Sequence, residues 1–350
     1  MVSRLALNPT AAAKWLRKRV LRSPTLVRAS KDLYRWPWLR RTQAFEWFIR
    51  NRVSSADAAL TTVPPRVSIE TALTCNAKCP MCVHSQQRMV GIMSERLFER
   101  LIDDCARLGI EDVCLSVYGE PLVDKHWLSR LAIVRAAGMT YSFFSNASLL
   151  SPKIADQMLE LGGWSAVNFS VNGFSQAVYD KTMPPLSRDR VYDNIAHLLR
   201  ARAERGRGPE VTVSCVVLEE NHHEIEEYTR YWKDKVERVS IADRTDWLGE
   251  LKETDKGRGV GRRLRVLATH SDNLPCPSPW QSLYVYYDGR VAPCCEDAAG
   301  RKLIVGDANE ASLGDIFQGQ QMSQLRGCHR DWKRAGDPIC GQCKVHWPWI

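Results

Sequence analysis

The stretch VSIETALTCNAKCPMCVHS, residues 67–85, runs from an apolar strand signal straight into a loop that carries Cys75, Cys79 and Cys82. Their spacing is C-x3-C-x2-C. Three thiolates this close on one loop can hold three irons of a four-iron, four-sulfur cluster and leave the fourth iron without a protein ligand. A zinc site completed by His84 is the alternative, although a first gap of three residues is less usual for zinc ribbons than C-x2-C.

Outward from this loop, apolar strand-like runs alternate with helical periodicity. SERLFERLIDDCARLG (94–109) is followed by EDVCLSVYG (111–119), WLSRLAIVRAAG (127–138), MTYSFFSN (139–146) and SPKIADQMLELG (151–162). The series continues through AVNFSVNG (166–173), a helical stretch ending in HLLRARAERG (197–206), VTVSCVVL (211–218), HHEIEEYTRYWKDK (222–235) and RVSIA (238–242). This order gives parallel strands joined by crossover helices. About six such units lie between residues 66 and 243, fewer than the eight that close a TIM barrel. The expected fold is therefore α/β, a partial (β/α)6 TIM-like barrel over residues 61–248. Residues 249–273 are charged, carry no sustained apolar period and read as a linker. Beyond them, LYVYYDGRVAPCC (283–295) places strand residues on both sides of Asp288-Gly289, a strong hairpin signal, and residues 274–350 read as a small second domain.

Composition bounds the rest. The chain has 350 residues, 44% hydrophobic and 25% charged, which excludes wholesale disorder and a fibrous fold. The sequence predicts no membrane span and no secretory signal, hence a cytoplasmic protein. Twelve cysteines in that compartment point to metal rather than to disulfides. The net charge of +9 is localised: residues 1–53 hold thirteen Lys/Arg against Asp32 and Glu46, and the remainder is nearly neutral. With Trp15, Trp36, Trp38 and Trp47, and a basic helical pattern over residues 11–22, residues 1–60 read as a basic, Trp-rich helical extension. The pattern suits a peripheral contact through residues 1–53 with a membrane surface, at its inner face, or with an anionic partner; a helix packed on the main domain is the alternative. No nucleic-acid motif accompanies the charge, so no nucleic acid is expected.

Polar groups recur where strands end, the usual place for catalytic residues in barrel enzymes. The second strand ends in Tyr118-Gly119-Glu120-Pro121, the third in Ser145-Asn146 and the fourth in Ser170-Val171-Asn172. Over roughly residues 66–245 the sequence resembles the radical S-adenosylmethionine (SAM) superfamily, on the C-x3-C-x2-C loop, on YGEP where that family has GGEP, and on these strand-end groups. The resemblance implies a SAM-binding 4Fe-4S cluster held by Cys75, Cys79 and Cys82, with SAM chelating the open iron. It further implies that Gly119, Glu120 and Pro121 meet the methionyl amine, and that Ser145, Asn146, Ser170 and Asn172 line the methionyl carboxylate and ribose. Tyr118 departs from the family's first glycine, and Met81 stands where an aromatic residue is frequent.

A second constellation follows. Cys276, Cys294 and the pair Cys340 and Cys343 supply four thiolates, enough for a closed four-iron cluster or for a zinc knuckle. With Pro279-Trp280, Asp288-Gly289 and SLGDIF at 312–317, the segment resembles the SPASM or twitch extension of radical SAM enzymes. The C-x12-G-x4-C count of that family selects Cys294 over Cys295, and the short remaining tail implies one auxiliary 4Fe-4S cluster. Cys105, Cys114, Cys295 and Cys328 are left as ordinary thiols, and Cys215 either as another or as a hydrogen-atom donor facing the barrel lumen.

These expectations together describe a radical SAM oxidoreductase that dehydrogenates a sugar or aminocyclitol-type small molecule, with the auxiliary cluster as electron acceptor and a flavodoxin or ferredoxin as electron donor. A peptide-modifying maturase and a sugar epimerase are the enzymatic alternatives. A non-catalytic zinc-binding scaffold is the alternative of another class.

Overall fold

The computed structural model describes residues 42–60, 63–87, 89–245, 247–249, 251, 273–297 and 300–343. Six strands form in chain order with helices between them: β1 (Val67–Ile69), β2 (Asp112–Cys114), β3 (Thr140–Ser145), β4 (Trp164–Ser170), β5 (Glu210–Val217) and β6 (Arg238–Asp243). All pair in parallel with their sequence neighbours, in the order β6-β5-β4-β3-β2-β1. Six strands leave the barrel open, as the count of units predicts.

The C-terminal segment does not make a sheet of its own. Its strand β7 (Leu283–Val285) adds in parallel to β1, Val67 opposite Leu283, and β8 (Arg290–Ala292) and β9 (Gly306–Asp307) continue antiparallel from it. The Asp288-Gly289 turn forms the expected hairpin, with Gly289 at φ +98°. Nine strands thus share one sheet.

Helix starts are written locally. Ser94, Ser151, Ser175 and Ser187 each accept a hydrogen bond from the backbone N–H three residues on, which satisfies a donor the helix cannot. They open α2 (Glu95–Arg107), α4 (Pro152–Leu161), α5 (Gln176–Thr182) and α6 (Arg188–Arg205), with α3 (Trp127–Ala136) between the first two and α7 (Ile225–Trp232) after them. Strand residues that face these helices are large and buried: Val113, Leu115, Tyr141, Phe143, Val167, Phe169, Val211 and Val213. Tyr141 and Phe143 stack on Trp164 at 6.5 and 5.3 Å between ring centres. Cys215 lies on this same face, buried beside the Tyr228 and Trp232 layer, so it does not face the lumen.

Ahead of the barrel, α1 (Gln43–Ala58) starts at the N-cap Thr42 and buries Phe45, Ile49 and Val53 against Leu274 and Trp280 of the C-terminal segment. The Trp280 indole donates to Asp57 at 2.6 Å, and Arg330 of α9 (Gln320–Arg330) pairs with the same carboxylate; α8 (Leu313–Gln318) precedes α9. Trp47 and Phe48 stay exposed. The helix expected at residues 11–22 and most of the linker lie outside the described residues. Among the described residues no helix is long and apolar enough to cross a membrane.

One buried ion pair fixes the loop that follows YGEP. The Arg130 guanidinium donates to Asp124 at 2.6 Å and to the Met93 carbonyl, and its face lies 4.8 Å from the Phe98 ring. Both partners are almost wholly enclosed. Arg130→Ala leaves Asp124 as a lone buried charge and is expected to cost about 3–5 kcal/mol in urea unfolding. The double variant Asp124→Asn/Arg130→Met is expected to recover much of that loss.

Candidate functional site

β1 is three residues long and buried on both faces, and it delivers the cysteine loop to the C-terminal rim of the sheet. The loop is anchored by backbone bonds from Leu73 and Thr74 to Gly91 and from Lys78 to Pro184. All twelve cysteines carry free thiols. Cys75, Cys79 and Cys82 are drawn into one place: burial raises each thiol, Cys75 to about 12, and the neighbouring sulfurs push Cys75 and Cys79 further. Cys75 accepts from the Ala77 N–H at 3.4 Å, Cys79 lies 3.5 Å from the Met183 sulfur, and Cys82 lies 3.2 Å from the Tyr118 hydroxyl. Among the described residues no three His, Cys, Asp or Glu side chains are gathered tightly enough for a single ion. Soft thiolate donors of this kind suit iron-sulfur clusters.

The YGEP segment is stitched to this loop. Gly119 has φ +69°, and a Cβ there would run into the Ala72 carbonyl oxygen, so the position demands glycine twice over. The Glu120 N–H donates to the Thr74 carbonyl. The Glu120 side chain turns inward and accepts from Leu122 N–H at 3.1 Å, Ser145 Oγ at 2.9 Å and Asn146 N–H at 2.7 Å. It is a brace between the ends of β2 and β3; burial lifts its carboxyl to about 7 against these three donors. Pro121 opens the short turn Pro121–Val123 behind it. Asn146 Nδ2 reaches on to Asn76 Oδ1 at 2.8 Å, inside the cysteine loop, and Asn76 Nδ2 donates to Ser148 Oγ.

The structure therefore joins Gly119, Glu120, Pro121, Ser145 and Asn146 to the first cysteines in one network. Asn172 reaches the same cysteines by another route: its Nδ2 lies 3.0 Å from the Met183 sulfur that touches Cys79, while its Oδ1 accepts from Val216 N–H. Ser170 sits opposite Ser214 on the lumen face, two residues short of Asn172. Asn76 and Met183 carry these links and escaped the sequence reading. Asn76 offered only its place between two cysteines, and Met183 offered no signal.

The second thiol group assembles around Arg334. This buried guanidinium donates to the carbonyls of Cys340, Cys343 and Leu274 at 3.2, 3.0 and 3.3 Å. Burial lifts Cys276 to about 11 and Cys294 and Cys340 well above the ordinary thiol value. Cys294 feels Cys276 and Cys340, and Cys276 feels Cys343, so the four thiols share one neighbourhood. Cys295 is spoken for by the Tyr284 hydroxyl, though it too lies within reach of Cys276. The Cys276 N–H donates to Nδ1 of His329, a buried imidazole whose pKa burial lowers to about 4. Cys105 is core, as expected of an ordinary thiol.

The lumen face of the sheet is lined by short polar side chains. Ser68, Cys114, Ser116, Ser142, Asn168, Ser170, Thr212, Ser214 and Ser240 alternate along β1 to β6 and the β2 extension with the buried set that faces the helices. Asp112 at the N-terminal end accepts from the hydroxyls of Thr140, Ser142 and Ser165. Ala166, Val216 and Ala242 take the same face, with Glu210 and Arg238 at its N-terminal end, and so does Phe144. It stands 53% exposed on the same face, its N–H held by Ser116 Oγ at 2.8 Å and its register partner Asn168 beside it. The Asn168 Oδ1 is enclosed and receives no donor.

Two segments of the chain match known protein families. Residues 69–231 match the radical SAM superfamily model, and residues 276–344 match the SPASM model, an iron-sulfur cluster-binding domain. The chain is 26% identical over 313 residues to a tungsten-containing aldehyde ferredoxin oxidoreductase cofactor-modifying protein of Pyrococcus furiosus, covering 79% of this chain and 86% of that one. Among solved structures, BtrN in complex with AdoMet and 2-DOIA shares the fold at a TM-score of 0.53 and 17% identity, over 82% of this chain and 98% of that one. SuiB of Streptococcus suis bound to its precursor peptide SuiA shares it at a TM-score of 0.63 and 15% identity, over 85% and 75%.

Gly119→Ala forces a side chain into the left-handed region, about 1–2 kcal/mol of strain, and drives it against the backbone of the cysteine loop. We expect SAM affinity of the reconstituted protein, measured by equilibrium filtration, to fall about tenfold or more.

Proposed function

We propose that this chain, which belongs to the radical SAM superfamily and carries a SPASM iron-sulfur cluster-binding domain, dehydrogenates a neutral, polyhydroxylated small molecule of the sugar or aminocyclitol class. Family membership brings a 4Fe-4S cluster, SAM and auxiliary iron-sulfur; the substrate and the ligand assignments are our reading. In that reading Cys75, Cys79 and Cys82 hold the SAM-binding cluster, and Cys276, Cys294, Cys340 and Cys343 hold one auxiliary cluster. When bound, the first cluster and SAM supply a 5′-deoxyadenosyl radical that takes a hydrogen atom from an unactivated carbon.

The observation that carries the substrate class is the lumen lining. Hydroxyls of Ser116 and Thr212 can donate and accept, and those of Ser142 and Ser214, which donate to Asp112 and to the Phe169 carbonyl, can still accept, as a substrate rich in hydroxyls requires. Asn168 adds an amide side chain to the same face. Beside it, Phe144 offers an exposed ring face of the kind on which the apolar face of a sugar packs. These residues bind and orient one carbon and exclude water from it. Loss of a hydrogen atom, then of a proton and one electron, oxidises the substrate by two electrons; four thiolate ligands leave the auxiliary cluster no open position, which suits it to take that electron rather than to bind substrate. The first electron comes from an external flavodoxin- or ferredoxin-type donor.

The neighbouring structures hold both classes of ligand, 2-DOIA in BtrN and a peptide in SuiB, so fold alone does not choose between them. The Pyrococcus furiosus relative is named for modifying a cofactor, which sides with a small molecule. Cys215 on β5 faces the helical layer, which weighs against it as the hydrogen-atom donor of an epimerase.

Anaerobic reconstitution of the full chain is expected to give about eight irons, falling to about four in the Cys75/Cys79/Cys82→Ala variant, with SAM cleavage under dithionite only in the former. Zinc in place of iron, or no cleavage by a loaded protein, would refute the enzymatic reading. With a panel of cyclitols, sugar alcohols and peptides, mass spectrometry is expected to find a product two hydrogens lighter from a polyol. Phe144→Ala is expected to raise KM for that polyol about tenfold with a smaller change in kcat, the loss of about 1.4 kcal/mol of stacking and buried area.

A further inference from the structure

Tyr118 stands where the resembling family has glycine, and the structure gives its ring a dedicated slot. The ring is buried, stacked on the His84 imidazole at 5.2 Å between centres and met edge-on by Trp247 at 5.0 Å. Trp247 in turn donates from Nε1 to the carbonyl of Met81, within the cysteine loop. The ring is thus clamped by two aromatic groups, one of them tied to the loop it touches. At its tip the hydroxyl lies 3.0 Å from the Val83 N–H, which donates to it, and 3.2 Å from Cys82 Sγ.

We infer that the Tyr118 hydroxyl is a built-in hydrogen-bond donor to the Cys82 sulfur and makes the cluster held by Cys75, Cys79 and Cys82 easier to reduce. A phenol has one proton, and the Val83 N–H already occupies an acceptor position on its oxygen. Cysteine bound to iron is a thiolate with no hydrogen to give, so at 3.2 Å the hydrogen between oxygen and sulfur comes from the tyrosine. Cys75 receives backbone N–H groups and Cys79 touches a thioether. Among the described residues, Cys82 is the member of this group that meets a side-chain hydroxyl. Reduction adds one negative charge to the cluster and its sulfurs, so the bond is stronger after reduction than before it. Hydrogen bonds to ligand sulfur are one of the protein's ways of setting a cluster's potential. Tyr118 is on this account a positioning and tuning residue, acting through the Cys82 sulfur.

The inference rests on Cys82 being a ligand of the first cluster, and the test separates the two. Full-length protein reconstituted anaerobically is titrated electrochemically with EPR detection, as wild type, Tyr118→Phe and Cys82→Ala. Tyr118→Phe keeps the ring and both aromatic contacts and removes only the hydroxyl. Iron and sulfide contents are expected to match wild type, and the midpoint of the SAM-binding cluster to move negative by about 59 mV, a tenfold loss in the one-electron equilibrium. The auxiliary midpoint is expected not to move, and the deuterium sensitivity of the iron–thiolate stretching bands in resonance Raman spectra to diminish. An unchanged midpoint in a fully loaded Tyr118→Phe protein overturns the inference. So does loss of the cluster from that variant, because the hydroxyl would then hold the loop together rather than tune it. A Cys82→Ala protein that keeps the SAM-binding cluster with its wild-type midpoint overturns the premise instead.

Discussion

The parallel pairing of β1 with β2 on one side and β7 on the other is the constraint from which the rest follows. β1 is three residues long and inaccessible from either face, so neither its register nor its direction can slip without exposing Val67 and Ile69 or burying unmatched backbone. That strand aims the cysteine loop. It also makes the barrel and the C-terminal hairpin one hydrogen-bonded sheet. Glu70, the next residue, accepts the Arg301 guanidinium at 2.8 Å, and Arg301 lies flat over Tyr286 at 4.2 Å. A cation from beyond the hairpin therefore closes the rim of the barrel at the residue from which the cysteine loop departs.

Much of this was legible in the sequence because it is local. Six βα units could be read from period and spacing, since each strand and helix buries its own apolar face and four of the helix starts carry their own serine. The turn at Asp288-Gly289 was legible for the same reason. The merger of β7 into the main sheet was not, because a three-residue strand carries no address for its partner. The same limit hid the direction of Cys215: its parity along β5 decides which face it takes, and only the paired register fixes that parity.

The candidate site divides along the same line. Cys75, Cys79 and Cys82 announce themselves by spacing, and Gly119 by motif. Glu120 appears in the motif too, but its inward turn and its three donors depend on Ser145 and Asn146 arriving from the next strand. Asn76, Met183, Tyr118 and Arg334 act through contacts made across 35 or more residues or across loops without regular structure, where no periodicity exists to betray them. The lumen lining is an intermediate case. Its alternation with the buried set is written in every strand, yet the alternation gains meaning only when six strands place their polar positions on one surface.

On the proposed function, that lining has a consequence for how a substrate is recognised. Serine and threonine turn about a single side-chain torsion that matters, so a wall made of them has little rotamer freedom to lose when a ligand arrives. Its shape is the shape of the backbone beneath it. Selectivity in such a chamber is a property of strand register and sheet twist, fixed at folding. A new preference would come from enlarging one short side chain at a chosen height on a strand rather than from remodelling a loop.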